Sequence, residues 1–259
     1  FIQNIVHKEL LCRDATEPAD ISEWTHVDLN AYGEVDAIHW QDTGVEGQLG
    51  FQWLPDSVRR LCIERNVFSG IVDCRCLPPD LESLEMEMNA FSGSLDLDAL
   101  PRRLEFVNFN ENRLSGEVSL TNLPPQLEIL FLSINELSGS VNLEALPKTM
   151  DQLFLHDNAF SGTVCLTRLP SSLSLLTLDR NHFCGTLDLT SLPPGMFGLD
   201  LSSNDFEGWT DFSRLPITIT LSIMNLKISG EIHIPHDGYD VVIENTDGVS
   251  VSEPAAGDE

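Results

Sequence analysis

The chain has 259 residues, 41 acidic against 14 basic, and a formal net charge of −27. A field of that sign repels nucleic acid and anionic membrane surfaces, so partners should be basic or neutral. No apolar run approaches the ~20 residues that a membrane span needs. Residues 1–30 carry no repeat; their apolar positions, Phe1, Ile2, Ile5, Val6, Leu10, Leu11 and Trp24, read as an N-terminal cap that begins with a short helix. No secretory leader opens the chain, and a start at Phe1 leaves room for a removed presequence.

Residues 31–234 repeat. Leu-Pro recurs at Leu54, Leu77, Leu100, Leu123, Leu146, Leu169, Leu192 and Leu215, each 23 residues after the last. A fixed period of that length marks a solenoid. The clearest coil reads Leu146, Met150, Leu153, Leu155, Asn158, Phe160, Ser161, Gly162, Val164 and Leu166. The first coil is degenerate but in phase, with Thr43 at the Asn position. The last loses its Asn, and Ile223, Leu226, Ile228 and Gly230 stand one place out of phase. Val241 to Ile243 and Val249 with Val251 look like closing strands over 235–252, and 253–259 reads as a polar, disordered tail.

The spacing has physical reasons. Leu153 and Leu155 are two apart, so they share one strand face, which must be the inner one. Asn66, Asn89, Asn112, Asn135, Asn158, Asn181 and Asn204 fit a buried ladder that pairs the backbone groups of each turn, one carbonyl and one N–H per amide. Phe68, Phe91, Leu114, Leu137, Phe160, Phe183 and Phe206 fill the core behind that turn. Val164 and Leu166 alternate again and predict a second short strand on the convex side.

This pattern resembles the leucine-rich repeat family. The run Asn-x-Phe-Ser-Gly-x-Val is closest to its plant-type, or Ser-Gly, subclass, and the Leu-Pro return resembles members common in protists, kinetoplastids among them. The resemblance implies a β-rich solenoid of eight to nine 23-residue coils, capped at both ends. It also implies a parallel sheet on the concave face, which in this family usually binds a protein. Secreted members of the subclass usually carry a cysteine pair in each cap. Here the N-terminal cap has only Cys12 and the C-terminal cap has none. Cys74 and Cys184 look like small buried fillers, and no Asn-x-Ser/Thr sequon occurs. These signs favour a reducing intracellular or organellar compartment, with an extracellular location as the alternative.

Exposed columns follow from the period. Between the two strand leucines run His39, Cys62, Glu85, Asn108, Phe131, Phe154, Thr177 and Asp200. Two residues earlier run Ala37, Arg60, Ser83, Phe106, Ile129, Gln152, Leu175 and Gly198. Phe106, Ile129, Phe131, Phe154 and Leu175 should therefore form one apolar patch on a surface that ought to be polar, the mark of an interface. The alternative is a segment that covers them, or a register displaced by one. Glu105, Glu128 and Asp151 on one side, and His156 and Asp179 on the other, form a charged rim that would steer a basic partner with an apolar anchor.

Two constellations invite an enzymatic reading. His39, Cys62 and Glu85 stack in one column, yet no oxyanion-hole donor accompanies them and an open sheet does not exclude water. His156, Asp157, Asp179 and Arg180 read as an ion-pair network on a solvated ridge. There is no phosphate loop, zinc motif or calcium loop, so no catalytic, metal or cofactor site is expected. The expectation is a non-enzymatic protein-interaction module, an accessory or scaffold subunit of an assembly; an extracellular recognition or inhibitor protein is the alternative.

Overall fold

The computed structural model describes residues 4–12, 20–233, 240–242, 246 and 248–252. Two sheets of 11 strands run the length of the solenoid, each strand paired with its equivalent in the next coil. The first sheet holds the Leu-x-Leu strands, among them Phe106–Asn108, Ile129–Phe131, Gln152–Phe154 and Leu175–Thr177. It is parallel from Val35–His39 onward, and Val27–Leu29 closes it antiparallel. The second sheet is closed in the same way by Asn4–Val6 against Glu46–Gln48. This is a leucine-rich-repeat solenoid, with its leucine core running coil to coil between the sheets.

The second sheet is not where Val164 and Leu166 suggested. Its strands are the Phe-Ser-Gly segments, such as Ala159–Gly162 and His182–Gly185. Residues 164–166 are irregular instead, and in some other coils a short 3-10 turn starts at the equivalent Leu, as in Leu97–Ala99 and Leu143–Ala145. The Asn ladder explains the shift. Asn158 Oδ1 accepts the N–H of Leu137 in the preceding coil at 3.0 Å, which pins the segment around the Phe position to its neighbour. The Gly that follows takes a left-handed φ and turns the chain out of the strand. At Gly185 that angle is φ +89°, a backbone region that an L side chain rarely adopts.

Each ladder Asn does more than pair two groups. Asn135 Nδ2 donates to the carbonyls of Phe109, Leu132 and Ser133 at 3.0–3.1 Å, and its Oδ1 accepts from Leu114 N–H at 3.0 Å. The residue before it must adopt a left-handed backbone, as Arg65, Met88, Glu111, Ile134, Asp157, Arg180 and Ser203 all do. In the degenerate first coil, Asn66 Oδ1 closes the ladder on Thr43 N–H, Thr43 hydroxyl and Gly44 N–H. The aromatic column behind the turns is fully buried, with Phe160, Phe183 and Phe206 stacked at 6.1 and 6.4 Å.

The described part of the N-terminal segment opens on a strand, Asn4–Val6, rather than on a helix, and carries one α-helical turn, Glu9–Cys12, and a 3-10 turn, Ile21–Glu23. Leu11 is fully buried, and Trp24 stacks on the equally buried Trp40 at 5.9 Å. At the other end the step between paired strands drops from 23 residues (Leu175 to Gly198) to 22 (Gly198 to Thr220), the phase change visible in the sequence. Asp240–Val242 and Val249–Ser252 are the last strands; Ile243 and the 253–259 tail lie outside the described residues. Cys74 is a buried filler, whereas Cys184 is half-exposed on the Ser-Gly sheet, because it stands at the outward Ser position.

Candidate interaction surface

The register places Phe106 beside Ile129, and Phe131 between Asn108 and Phe154, as the columns predicted. Phe106 meets Phe131 edge-on at 5.9 Å, and Phe131 stacks on Phe154 at 4.2 Å with planes 25° apart. His156 continues the row, tilted against Phe154 at 5.9 Å. All four rings are half-exposed, and so are Ile129 and Leu175. No described segment covers them. Leu175 leans over Gly198, whose missing side chain is what lets Leu175 lie flat there.

Glu105 and Glu128 are exposed and Asp151 half-exposed along one edge. Their backbones are stitched together, Glu128 N–H to Glu105 O and Asp151 N–H to Glu128 O at 2.8 Å, so the three carboxylates rise one per strand. Phe197, 48% exposed, stands two coils beyond Asp151 in the same column. Carrying that column past Asp151 would have found it in the sequence.

The opposite edge is a hydrogen-bonded polar lane. His156 Nδ1 lies 2.8 Å from both Ser133 Oγ and Thr177 Oγ1, and burial pushes the imidazole below its usual pKa. Asp179 is 5% exposed, so it underlies the rim rather than forming it. Burial, reinforced by Asp200, raises Asp179 to about 6 against the pull of Arg180 at 3.1 Å. Arg180 itself forks onto Asp157 at 2.6 and 2.7 Å. The ion-pair network expected of His156, Asp157, Asp179 and Arg180 is present in part: Arg180 joins Asp157 and the buried Asp179, while His156 bonds the Ser133 and Thr177 hydroxyls instead.

The His39, Cys62, Glu85 column does not assemble a nucleophile. His39 Nε2 turns to Asp28 at 3.3 Å, while Cys62 Sγ faces Glu85 Oε1 at 3.4 Å. Burial and then the Glu85 charge push the thiol up to about 12, which disfavours thiolate at neutral pH. Of the columns expected to be exposed, Ala37, Cys62, Asn108 and Gly198 are buried, Ala37 on the strand that pairs with Val27–Leu29 at the end of the sheet. Among the described residues no group of three His, Cys, Asp or Glu is placed to hold a metal ion, and no helix is long and apolar enough to cross a membrane.

No family model matches the chain, and no curated protein matches it. Solved structures do. A plant peptide hormone receptor, RGFR1 in complex with RGF2, is 25% identical over 77% of this chain and 34% of that one, with a TM-score of 0.58. PEPR1-AtPEP1 is 21% identical over 93% of this chain and 38% of that one, at 0.68. A plant ice-binding protein is 18% identical over 95% of this chain and 92% of that one, at 0.64. The chain thus spans about a third of the length of the first two.

Proposed function

We propose that the chain is a non-catalytic protein-interaction module that holds a partner on the Leu-x-Leu face, as an accessory or scaffold subunit of a larger assembly. The carrying observation is the row Phe106, Phe131, Phe154, an aromatic stack left half-exposed with Ile129 and Leu175 on the outer face of the sheet. The rim chemistry supports a basic or neutral partner that inserts an apolar anchor. RGFR1, a plant peptide hormone receptor of similar fold, is known in complex with RGF2, which supports a binding role for such a scaffold. We read the repeat as the Ser-Gly type with a protist-like Leu-Pro return, on the strength of its own residues.

Cys62, Cys74, Cys76, Cys165 and Cys184 are free thiols, which supports an intracellular or organellar site of action. The likeness to hormone receptor RGFR1 favours the second reading, an extracellular recognition or inhibitor protein. Ice binding has less to support it. The hydroxyl columns of the Ser-Gly face, such as Ser138, Ser140, Ser161 and Thr163, are interrupted by exposed Glu117, Glu207 and Trp209.

The test is affinity purification from the source cells with tagged wild type and the Phe131→Asp/Phe154→Asp variant. Defined proteins should accompany wild type in stoichiometric amounts and be absent from the variant, with circular dichroism unchanged. The same proteins on both baits would overturn the proposal.

A further inference from the structure

The aromatic row is flanked along the solenoid axis by two acidic clusters. On its N-terminal side, Glu85 stands in the ring column, with Glu64 and Glu87 in the column after the strand. The nearby arginines are committed elsewhere: Arg59 and Arg60 to Asp36 and Glu82, Arg65 to Asp42. Glu64 Oε2 is buried with no hydrogen-bond partner. Glu87 is held by Asn108, and among the described residues Glu85 takes the Ser83 hydroxyl and the Cys62 thiol. On the C-terminal side, Asp200 stands in the ring column beside buried Asp179, and the Arg180 guanidinium is spread over Asp157 and Asp179.

Resting on the function proposed above, we infer that this face is a track for an extended linear segment of the partner, apolar at its centre and basic on both sides, lying across the strands. Width argues for a segment rather than a folded surface. The apolar row is two columns wide, the width that one extended backbone covers, whereas a stable interface between folded domains spreads over ~800 Å² per partner. Length sets the spacing of the basic residues. From the strand of Glu85 to that of Asp200 is five strand steps of ~4.8 Å, about 24 Å, which an extended chain covers in about seven residues. Two basic side chains so spaced would reach Glu85 with Glu87 at one end and Asp200 at the other, and the residues between would lie on Phe131 and Phe154. The partner's charge would also offset like charges now stacked on neighbouring strands.

The experiment is selection from a phage-displayed random peptide library of about twelve residues, a length that covers the track with a margin. The library is first depleted on Phe131→Asp/Phe154→Asp protein and then panned on wild type. Enriched sequences should carry basic residues about six to eight positions apart around an apolar pair. A synthetic peptide from that pool should bind about fivefold or more weakly to Glu85→Gln/Glu87→Gln and to Asp200→Asn, and lose affinity as salt rises. Enriched peptides without the two basic flanks, or binding indifferent to both neutralised variants, would overturn this inference and leave the apolar site standing. No enrichment beyond the depleted variant would overturn both.

Discussion

Phe131 and Phe154 occupy the same place in consecutive coils, and their rings stack at 4.2 Å on the outer face of the sheet. Leu130 and Leu153, their neighbours in sequence, are fully buried on the inner face. One strand thus splits the work: the leucines hold the coil, and the rings contribute to what the coil meets. Phe131→Asp/Phe154→Asp should therefore cost little folding, about 1–2 kcal/mol for the lost stack and cross-strand packing. Partner affinity should fall at least about thirtyfold, the scale of a hot-spot residue. Urea melts and a binding titration on the same samples separate the two effects; a protein that unfolds outright would mean the rings are structural.

Asn135 joins three carbonyls and one N–H across two coils. Asn135→Ala strands Leu114 N–H and Phe109 O within the turn. A loss of about 3 kcal/mol is expected, the scale of two buried groups left unpaired. Asn135→Asp should fare little better, because a carboxylate can accept from Leu114 but cannot donate to the carbonyls. Equal stability of wild type and Asn135→Ala by chemical denaturation would show that water replaces the ladder.

Most of this fold was legible because a repeat reports each constraint many times. A column such as Phe160, Phe183 and Phe206 names a core position without any appeal to propensity, and the same counting placed Phe106 and Phe131 in contact. What counting missed were features that depend on bonds between coils. The Val164-x-Leu166 alternation has the strand period, but the Asn158 bond to Leu137 fixes strand pairing around the Phe position instead. The burial of Asp179 is equally invisible to a column, which assigns a direction and not a depth.

The turn before each ladder Asn needs a left-handed backbone, and at Ile134 that need meets a β-branched residue at φ +57°. Branching at Cβ crowds the carbonyl in that region, at about 1–2 kcal/mol. The side chain is 44% exposed and anchors little. Its N–H, bonded to His156 O at 3.0 Å, is available to any non-proline residue. Ile134→Asn or Ile134→Gly should therefore raise stability, Asn by about 1 kcal/mol, with Gly offset in part by its unfolded-state entropy. A fall in melting temperature for both variants would mean that the Ile134 side chain packs on its neighbours more than its exposure suggests.

Asp179 gives the fold a pH dependence of defined sign. Its carboxyl is raised to about 6 in the native state, chiefly by burial, against a usual value of 3.8. Between those values the native state holds a proton that the unfolded chain releases. Stability contributed by this group therefore falls as pH rises through that window, and the full penalty remains at pH 7. The displacement sets an upper bound of about 3 kcal/mol. Asp179→Asn removes the ionisation while Arg180 keeps its two bonds to Asp157. The variant should be more stable than wild type at pH 7, by about 1–2 kcal/mol after the lost Arg180 contact. The two proteins should converge as pH falls toward 4. Melting temperatures of both from pH 4 to 8 make the comparison; a gap that widens on acidification would mean that Asp179 is held ionised by Arg180 and that burial does not govern it.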